Sequence, residues 1–224
     1  MSDRSADARP ALPDVALDLW RFTARERTTV QVVPDGCRDL IVVAPRAGAP
    51  VVLLSALADS TEQPEFARGD RAAGVRLRPG VQIDESALRA LLRDGERVDA
   101  ADLLAAIAAA VHVDARVHEA LDCLAEAPLL PIAQRRLGVS ERSLERLLSA
   151  HTRRGPLWWR NLARARRCAR ALAGAEPLAH VAAAHGYADQ AHMTRDLQRW
   201  FGATPTRLRT LPAFLATLAA PAYA

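Results

Sequence analysis

The spacing of apolar residues changes from short runs to helical periodicity along the chain. Between residues 12 and 78, short apolar runs are separated by turn signals such as Pro34-Asp35-Gly36, a pattern typical of strands. The runs predict strands over 19–24, 28–33, 40–43, 51–57 and 72–78. Short strands at even spacing favour a small barrel or sandwich.

Beyond Pro79 the apolar residues recur three or four positions apart, as in amphipathic helices. This spacing predicts helices over 84–92, 99–111 and 115–126, the third with Asp114 as its N-cap. The predicted fold class is α+β: a small β-rich N-terminal barrel or sandwich, followed by an all-α domain.

Two segments of the helical part repeat each other at an offset of 49 residues. Each copy reads as two short helices joined by a tight turn, the helix-turn-helix that places one helix in a DNA major groove. The matching pairs are Ser140 with Asp189, Leu144 with Met193, Arg146 with Arg195, Leu148 with Leu197, Pro156 with Pro205, and Arg160 with Arg209.

The segment between the two copies, residues 157–173, contains neither Gly nor Pro and predicts one continuous linker helix. Such a helix would separate the copies by roughly 25 Å. Major-groove faces recur about every 34 Å, so one chain could enter two successive grooves. We expect Arg160, Arg164 and Arg167 either to contact phosphates or to pair with acidic residues such as Glu126 or Glu176, with phosphate favoured for Arg160.

The charge is divided unevenly between the two halves. Residues 1–113 carry 14 Arg against 17 Asp and Glu, a net of −3, and residues 114–224 carry 16 against 9, a net of +7, which together match the total of +4. This asymmetry favours a regulatory domain followed by a polyanion-binding domain. The predicted domains are 1–113 and 114–210, followed by a tail over 211–224. The apolar residues of the tail are expected to pack back or to support a homodimer.

Several classes of site are disfavoured by residue placement. All six His lie at position 112 or later, so the N-terminal part lacks the histidines of a metal-dependent cupin enzyme. No nucleophile elbow or phosphate loop occurs, and we expect no catalytic residue, no metal and no cofactor. The three cysteines are far apart, which favours a reduced cytoplasmic protein. Residues 1–11 are expected to be a disordered tail without a signal peptide, and no apolar run is long enough to span a membrane.

Two motifs in the repeat resemble the AraC/XylS-type DNA-binding domain. They are L-G-V-S-E-R-S-L-E-R at 137–146 and G-Y-A-D-Q-A-H-M-T-R-D-L-Q-R-W-F-G-A-T-P at 186–205, within a similarity that covers about 114–210. The resemblance implies a bacterial transcription regulator with two helix-turn-helix units. The chain departs from the family pattern at Ala133-Gln134, at Arg153 in place of a capping Gly, and at His185 in place of an aliphatic residue.

The N-terminal part is similar to a compact β-rich domain of some small regulators in this family. The similarity rests on V-P-D-G-C-R-D-L-I-V-V at 33–43 and G-V-R-L-R-P-G at 74–80, and it implies no known ligand. Cys37, Arg38 and Asp39 are candidates for an effector or sensor site. The alternative is a tight turn with a buried Cys37, in which Asp39 pairs with Arg38 or with arginines of the 74–80 segment.

Most of the residues expected to contact DNA lie at or near the second helix of each unit, and Arg160 lies on the linker helix. Arg142, Glu145 and Arg146 share one face, where arginine can pair with guanine and glutamate can accept from cytosine N4. We expect this first unit to carry more direct base recognition, with the second unit anchoring the domain. The complete predicted set is Ser140, Arg142, Glu145, Arg146, Arg160, Asp189, Gln190, Ala191, His192 and Arg195.

The sequence therefore predicts a DNA-binding transcription regulator controlled through its N-terminal domain. Its expected partners are double-stranded DNA, RNA polymerase, a small-molecule effector and a second copy of the chain, with no membrane. The alternative is an interaction protein or anti-regulator in which DNA recognition is weakened or lost.

Overall fold

The computed structural model describes residues 11–91 and 100–224, so the predicted tail over 1–11 lies almost wholly outside the described residues. The strands are β1 Ala16–Thr23, β2 Thr28–Thr29, β3 Asp39–Ala44, β4 Val51–Leu54, β5 Glu65–Phe66, β6 Arg71–Leu77, β7 Gln82–Ile83 and β8 Val111–His112. The helices are α1 Glu85–Leu91, α2 Ala100–Ala110, α3 Ala115–Glu126, α4 Leu130–Leu137, α5 Glu141–Thr152, α6 Pro156–Ala171, α7 Leu178–Ala184, α8 Gln190–Phe201, α9 Pro205–Arg209 and α10 Pro212–Leu218.

The N-terminal part is built on an antiparallel sheet with strand order β1-β6-β3-β4. Leu40 and Val75 pair across β3 and β6, and both are buried against Leu103 and Ile107 of α2. Two short pairs, β2 with β5 and β7 with β8, complete this part. The α+β fold class is confirmed, with β strands first and helices after.

The predicted strands are correctly placed, but two of them are shorter than expected. The strand over 51–57 ends at Leu54, because Ser55 turns to bond Asp39: its N–H donates to the Asp39 carbonyl at 2.9 Å, and its Oγ accepts from the Asp39 N–H at 2.7 Å. The strand over 28–33 keeps two residues and an isolated bridge from Val32 to Glu62. Strands of only two residues form through tertiary contacts. The β5, β7 and β8 segments show no alternation of apolar and polar residues from which they could have been predicted.

The helices agree more closely with the hydrophobic spacing. Helix α3 has the predicted bounds, and the Asp114 side chain accepts from the Arg116 N–H as its N-cap. Helices α1 and α2 occupy the predicted ranges, apart from Leu92 and Asp99, which lie outside the described residues, and Val111, which joins β8. The linker helix, α6, is continuous over 16 residues.

The helical part has a separate apolar core around the linker helix. Trp159, Leu162 and Leu208 are fully buried there. Phe214 and Leu218 of α10 pack into the same core, and the tail therefore folds back on its own chain. The two apolar clusters divide between Val111 and Val117, with Val33 and Leu57 joining the helical cluster from the N-terminal side. The domain boundaries at 113 and 210 stay a prediction.

One loop of the N-terminal part is inserted against the linker helix and the tail. Arg166, which is fully buried, donates to the Pro34 carbonyl at 3.1 Å, and the Tyr223 N–H donates to the Asp35 carbonyl at 2.9 Å. Between them Gly36 adopts a φ of +74° and approaches Trp159 and Tyr223 so closely that a Cβ would not fit. The two parts are thus in direct contact at the centre of α6.

Candidate DNA-binding surface

The first helix-turn-helix unit consists of α4 and α5. Gly138 ends α4 in the left-handed conformation, with a φ of 65°, which lets the chain turn sharply into the next helix. The Ser140 Oγ accepts from the Ser143 N–H at 3.2 Å and caps α5, while Leu144 and Leu148 are buried beneath it. Helix α5 is thus capped by its preceding serine and packed against the protein through its two leucines.

The second unit, α7 and α8, repeats this arrangement. Asp189 caps α8 by accepting from the His192 N–H at 2.6 Å, and Met193 and Leu197 form the buried face. Gln190 and Ala191 are exposed, whereas His192 is half-buried, with its ring edge-on to Tyr187 at 5.2 Å. Apart from Arg195, the predicted contact residues of this unit therefore lie around the first turn of α8. Helix α8 is the second, or recognition, helix of the unit, as α5 is of the first, and the N-terminal end of such a helix is the one that contacts bases in helix-turn-helix proteins.

Four arginines of the two recognition helices are exposed, and one of them, Arg199, lies 5.1 Å from the centre of the Trp200 ring. The other three have no such neighbour. Arg142 and Arg146 are exposed on α5, and Arg195 is exposed on α8. Within residues 11–91 and 100–224, no hydrogen bond or ion pair engages these three guanidinium groups. They are free to meet a polyanion, because no internal partner competes for them.

Glu145 is placed differently from its two arginine neighbours. Its Oε1 accepts from the Ser149 Oγ at 2.9 Å, and its carboxylate lies against Gly155, where an added Cβ would stand 2.7 Å away. The side chain therefore extends along α5 toward the turn into α6. A contact with cytosine requires a different rotamer, so the predicted role of Glu145 is less well supported than those of Arg142 and Arg146.

The favoured phosphate role of Arg160 is not supported, since its guanidinium is used inside the protein. Nε donates to the Pro128 carbonyl at 2.9 Å, and Nη2 donates to the same oxygen. Its counterpart in the repeat, Arg209, donates to the carbonyls of Leu172 and Glu176 at 3.1 and 2.7 Å. In both units this arginine hydrogen-bonds the segment that precedes the first helix. The match of Arg160 with Arg209 in the repeat is therefore explained by this shared structural role.

The other linker arginines also have internal partners. Arg164 pairs with Asp196 of α8 at 3.0 Å rather than with Glu126, and Arg167 donates to the Ala125 carbonyl. Asp196 also accepts from the Tyr187 hydroxyl at 2.9 Å, and the Arg164 guanidinium lies 4.3 Å from the centre of the Tyr187 ring. This network ties the second recognition helix to the linker helix. Arg164 and Asp196 are 32 positions apart, so this network was not recognisable from the sequence.

The first unit lacks this network, since Leu147 stands at the repeat position of Asp196. It is tied to the linker helix instead by the Trp159 indole, whose Nε1 donates to the Thr152 Oγ1 at 3.0 Å.

Of the departures from the family pattern, Ala133 is fully buried, and His185 is the half-buried C-cap of α7, where burial lowers its pKa.

Arg153 keeps the conformation that a glycine would supply. It ends α5 with a φ of 57°, a left-handed backbone that costs a residue with a Cβ about 1 kcal/mol. Substituting Arg153→Gly is therefore expected to raise the free energy of unfolding by about 1 kcal/mol, measured by urea denaturation. A matched Arg146→Gly change, in the middle of α5, should lower it by a similar amount. A loss of stability in Arg153→Gly would contradict the strained cap.

The N-terminal candidates lie at the contact between the two parts. Cys37 is buried and its pKa is raised well above the ordinary range by burial, which disfavours a reactive thiolate. Asp39 accepts from the Trp20 Nε1 at 2.7 Å and pairs with Arg76 at 3.5 Å, and burial raises its pKa. Arg38 pairs with Glu85 at 3.2 Å, not with Asp39. These contacts fit the alternative of a structural turn.

Arg38 also lines a cleft between the N-terminal sheet and the first unit. The cleft has a volume of about 180 Å³, and its walls are mainly basic and small apolar side chains. Its lining residues are Gly36, Arg38, Ala56, Leu57, Arg78, Gly80, Val81, His151, Thr152, Arg153 and Arg154. A ligand here would touch both parts of the chain, directly beside the C-terminus of α5.

Neither a membrane helix nor a metal cluster is found in the part of the chain that the structure describes. No helix there combines the length and the apolar character needed to cross a bilayer. No group of three or more His, Cys, Asp or Glu side chains in residues 11–91 and 100–224 is placed to hold a metal ion.

Comparison with known proteins identifies the helical part. Residues 133–210 match the family model described as a helix-turn-helix domain, which confirms the resemblance to AraC-type DNA-binding domains. A sequence comparison with curated proteins gives no match.

Similar solved structures include the DNA-binding domain of AdpA in complex with a target DNA, at 24% identity over 46% of this chain and 91% of that one, with a TM-score of 0.37. ToxT from Vibrio cholerae is similar at 9% identity over 86% and 96% of the two chains, with a TM-score of 0.42. A ToxT structure bound to (E)-4-(8-methylnaphthalen-1-yl)but-3-enoic acid is 9% identical over 90% and 98%, with a TM-score of 0.44.

Proposed function

We propose that this chain, whose residues 133–210 belong to the helix-turn-helix domain family, is a transcription regulator that reads two successive major grooves of double-stranded DNA. The observation that carries the proposal is the pair of capped recognition helices with free arginines on one continuous linker helix. The activity is binding, with no catalytic step. Because the proposed target is chromosomal DNA, the proposed location is the cytoplasm.

The two units have different roles in this proposal. Arg142 and Arg146 of α5 present two free guanidinium groups, the side chain best suited to the O6 and N7 atoms of guanine. In the first two turns of α8, Arg195 stands beside shorter or neutral side chains, which favours phosphate anchoring and backbone contact. Sequence recognition is therefore assigned mainly to the first unit, and Glu145 acts by orienting the turn after α5.

The test is a comparison of arginine variants on two DNA duplexes. One duplex is selected by the full-length wild-type chain from a random-sequence pool, and the other is a scramble of it. We expect Arg146→Ala to weaken binding to the selected duplex roughly tenfold to hundredfold, with a much smaller loss on the scramble. Arg195→Ala should weaken both duplexes by similar factors. Arg27→Ala, which removes an exposed arginine in the turn between β1 and β2, should change neither.

A salt series on the same duplexes separates recognition from mere attraction. Each phosphate contact contributes about −0.9 to the slope of log K against log salt, so several contacts give a steep loss of affinity. Equal losses of Arg146→Ala on both duplexes would show that Arg146 does not read bases. The absence of any salt-sensitive duplex binding at low ionic strength would instead favour an interaction protein that has lost DNA recognition.

Control of DNA binding through the N-terminal part belongs to the proposal as well. The basic cleft beside α5 is the place proposed for a small-molecule effector, because a ligand there would contact Arg38 and Arg78 on one wall and Arg154 on the other. Effector binding, homodimerisation and contact with RNA polymerase stay predictions.

A further inference from the structure

A short loop of the N-terminal part contacts both helix-turn-helix units. We call Leu57–Thr61 the strap. Asp59 Oδ2 accepts from Arg154 Nη2 at 2.6 Å, directly after the first recognition helix, and Asp59 Oδ1 accepts from Trp158 Nε1 at 2.7 Å in the first turn of the linker helix. Thr61 donates to the Trp200 carbonyl through its N–H at 3.0 Å and its Oγ1 at 3.2 Å, at the end of the second recognition helix.

Both ends of the strap are hydrogen-bonded to the N-terminal part. Before it, the Arg38 Nε donates to the Ser55 carbonyl at 2.8 Å, in addition to the two bonds between Ser55 and Asp39. After it, Glu62 and Val32 exchange two backbone hydrogen bonds of 2.9 Å. A five-residue loop held at both ends has few alternative conformations, so its contacts constrain the helical units rather than following them.

The strap lies beside the first turn of the linker helix, at a junction of Arg154, Trp158 and Trp200. The Trp158 ring stands edge-on to the Trp200 ring at 5.6 Å, so one side chain of the linker helix touches the end of the second recognition helix. The Arg154 guanidinium lies 5.4 Å from the centre of the Trp158 ring, on the side of the first unit. Through Asp59 and Thr61 the strap therefore holds all three members of this junction from one rigid support.

We infer that the strap sets the angle between the two recognition helices and thereby the half-site spacing that the chain accepts. Asp59 and Thr61 are positioning residues in this inference, since they act through Arg154, Trp158 and Trp200 and do not touch DNA. The inference rests on the proposed reading of two grooves. It assigns to the N-terminal part a function beyond effector binding: selecting operators by geometry.

The experiment measures affinity as a function of half-site spacing with full-length protein. The probes are the duplex selected by the wild-type chain and versions with two base pairs added or removed between its half-sites. Two base pairs rotate one half-site by roughly 70° and displace it by about 7 Å. We expect the wild-type chain to lose at least about tenfold in affinity on the altered spacings. The Asp59→Ala variant should lose less than about threefold in affinity on the same altered spacings, because this substitution removes the contacts of Asp59 with both Arg154 and Trp158.

The matched control is Glu65→Ala. Like Asp59, Glu65 is an exposed carboxylate of the N-terminal part that accepts from an arginine at 2.6 Å, but its partner is Arg27, away from the junction. Both substitutions change the net charge equally, so a general gain in DNA attraction affects both. Trp158→Phe, which removes the indole N–H and keeps an aromatic ring, should broaden the spacing profile in the same direction as Asp59→Ala.

The outcomes separate a failure of the role inferred for the strap from a failure of the proposed DNA binding. If Asp59→Ala and Trp158→Phe keep the wild-type spacing ratio, the strap does not position the units, while the reading of DNA stands. A wild-type chain that binds the selected duplex equally at every spacing also overturns the strap. If the wild-type chain selects no duplex at all, the proposed function fails, and the inference fails with it.

Discussion

Replacing Asp196 by alanine is expected to lower the free energy of unfolding by about 3 kcal/mol, the cost of leaving one member of a buried ion pair without its partner. The Asp196 and Arg164 side chains are only 10% and 12% exposed. Without the carboxylate, the Arg164 guanidinium keeps the Tyr187 ring as its remaining neighbour, and the Tyr187 hydroxyl loses its acceptor. Since this network joins α8 to the linker helix, the second unit should lose its fixed position first.

The measurement is urea denaturation followed by circular dichroism, with two comparison variants. Asp196→Asn retains an oxygen for the Tyr187 hydroxyl and should cost less than Asp196→Ala. Glu65→Ala breaks an ion pair whose members are 81% and 61% exposed, and it should cost at most about 1 kcal/mol. If Asp196→Ala costs no more than Glu65→Ala, the network does not stabilise the second unit.

Replacing Gly36 by alanine is expected to cost about 3 kcal/mol, through two separate effects. A Cβ at this position would lie 2.7 Å from the Tyr223 Cβ and 2.9 Å from Cζ3 of Trp159, two buried side chains with little room to move. Overpacking of this kind costs about 1–3 kcal/mol. The φ of +74° adds about 1–2 kcal/mol for any residue with a Cβ.

Gly138→Ala separates these two effects. Gly138 has a similar φ of +65°, but no atom lies within 4 Å of its would-be Cβ. Its substitution should therefore cost only the backbone strain, about 1 kcal/mol, in the same thermal or urea measurement. The difference between the two variants reports the close contact of the N-terminal loop with the linker helix. Equal losses would mean that this contact is not tightly packed.

The expected losses of stability in Asp196→Ala and Gly36→Ala concern two contacts that connect the parts of the chain. The second unit is held on the linker helix by Asp196 and Arg164, and the linker helix is held against the N-terminal part by the loop around Gly36. The N-terminal sheet, the linker helix and the second recognition helix thus form one connected body. We therefore expect a conformational change in the N-terminal part to reach both recognition helices through contacts with the linker helix.

The sequence by itself determined the local features of this protein. Helical spacing located the recognition helices, and Ser140 and Asp189 were identifiable as caps because a cap acts on residues two or three positions away. The repeat at offset 49 was visible for the same reason: each unit is closed within a short stretch of chain. The exposed positions of Arg142, Arg146 and Arg195 also follow from the helical period alone.

Only the tertiary structure decided what each side chain contacts at long range. Arg160 and Arg146 are both arginines in basic helices, yet one bonds the Pro128 carbonyl and the other is free. Arg153 holds a left-handed cap that its residue type disfavours, because the surrounding turn imposes it. The strap joins Asp59 to Trp158 across 99 positions and Thr61 to Trp200 across 139. Hydrophobic periodicity cannot predict such pairs, since the distance between their side chains depends on how the N-terminal part packs against the helical part.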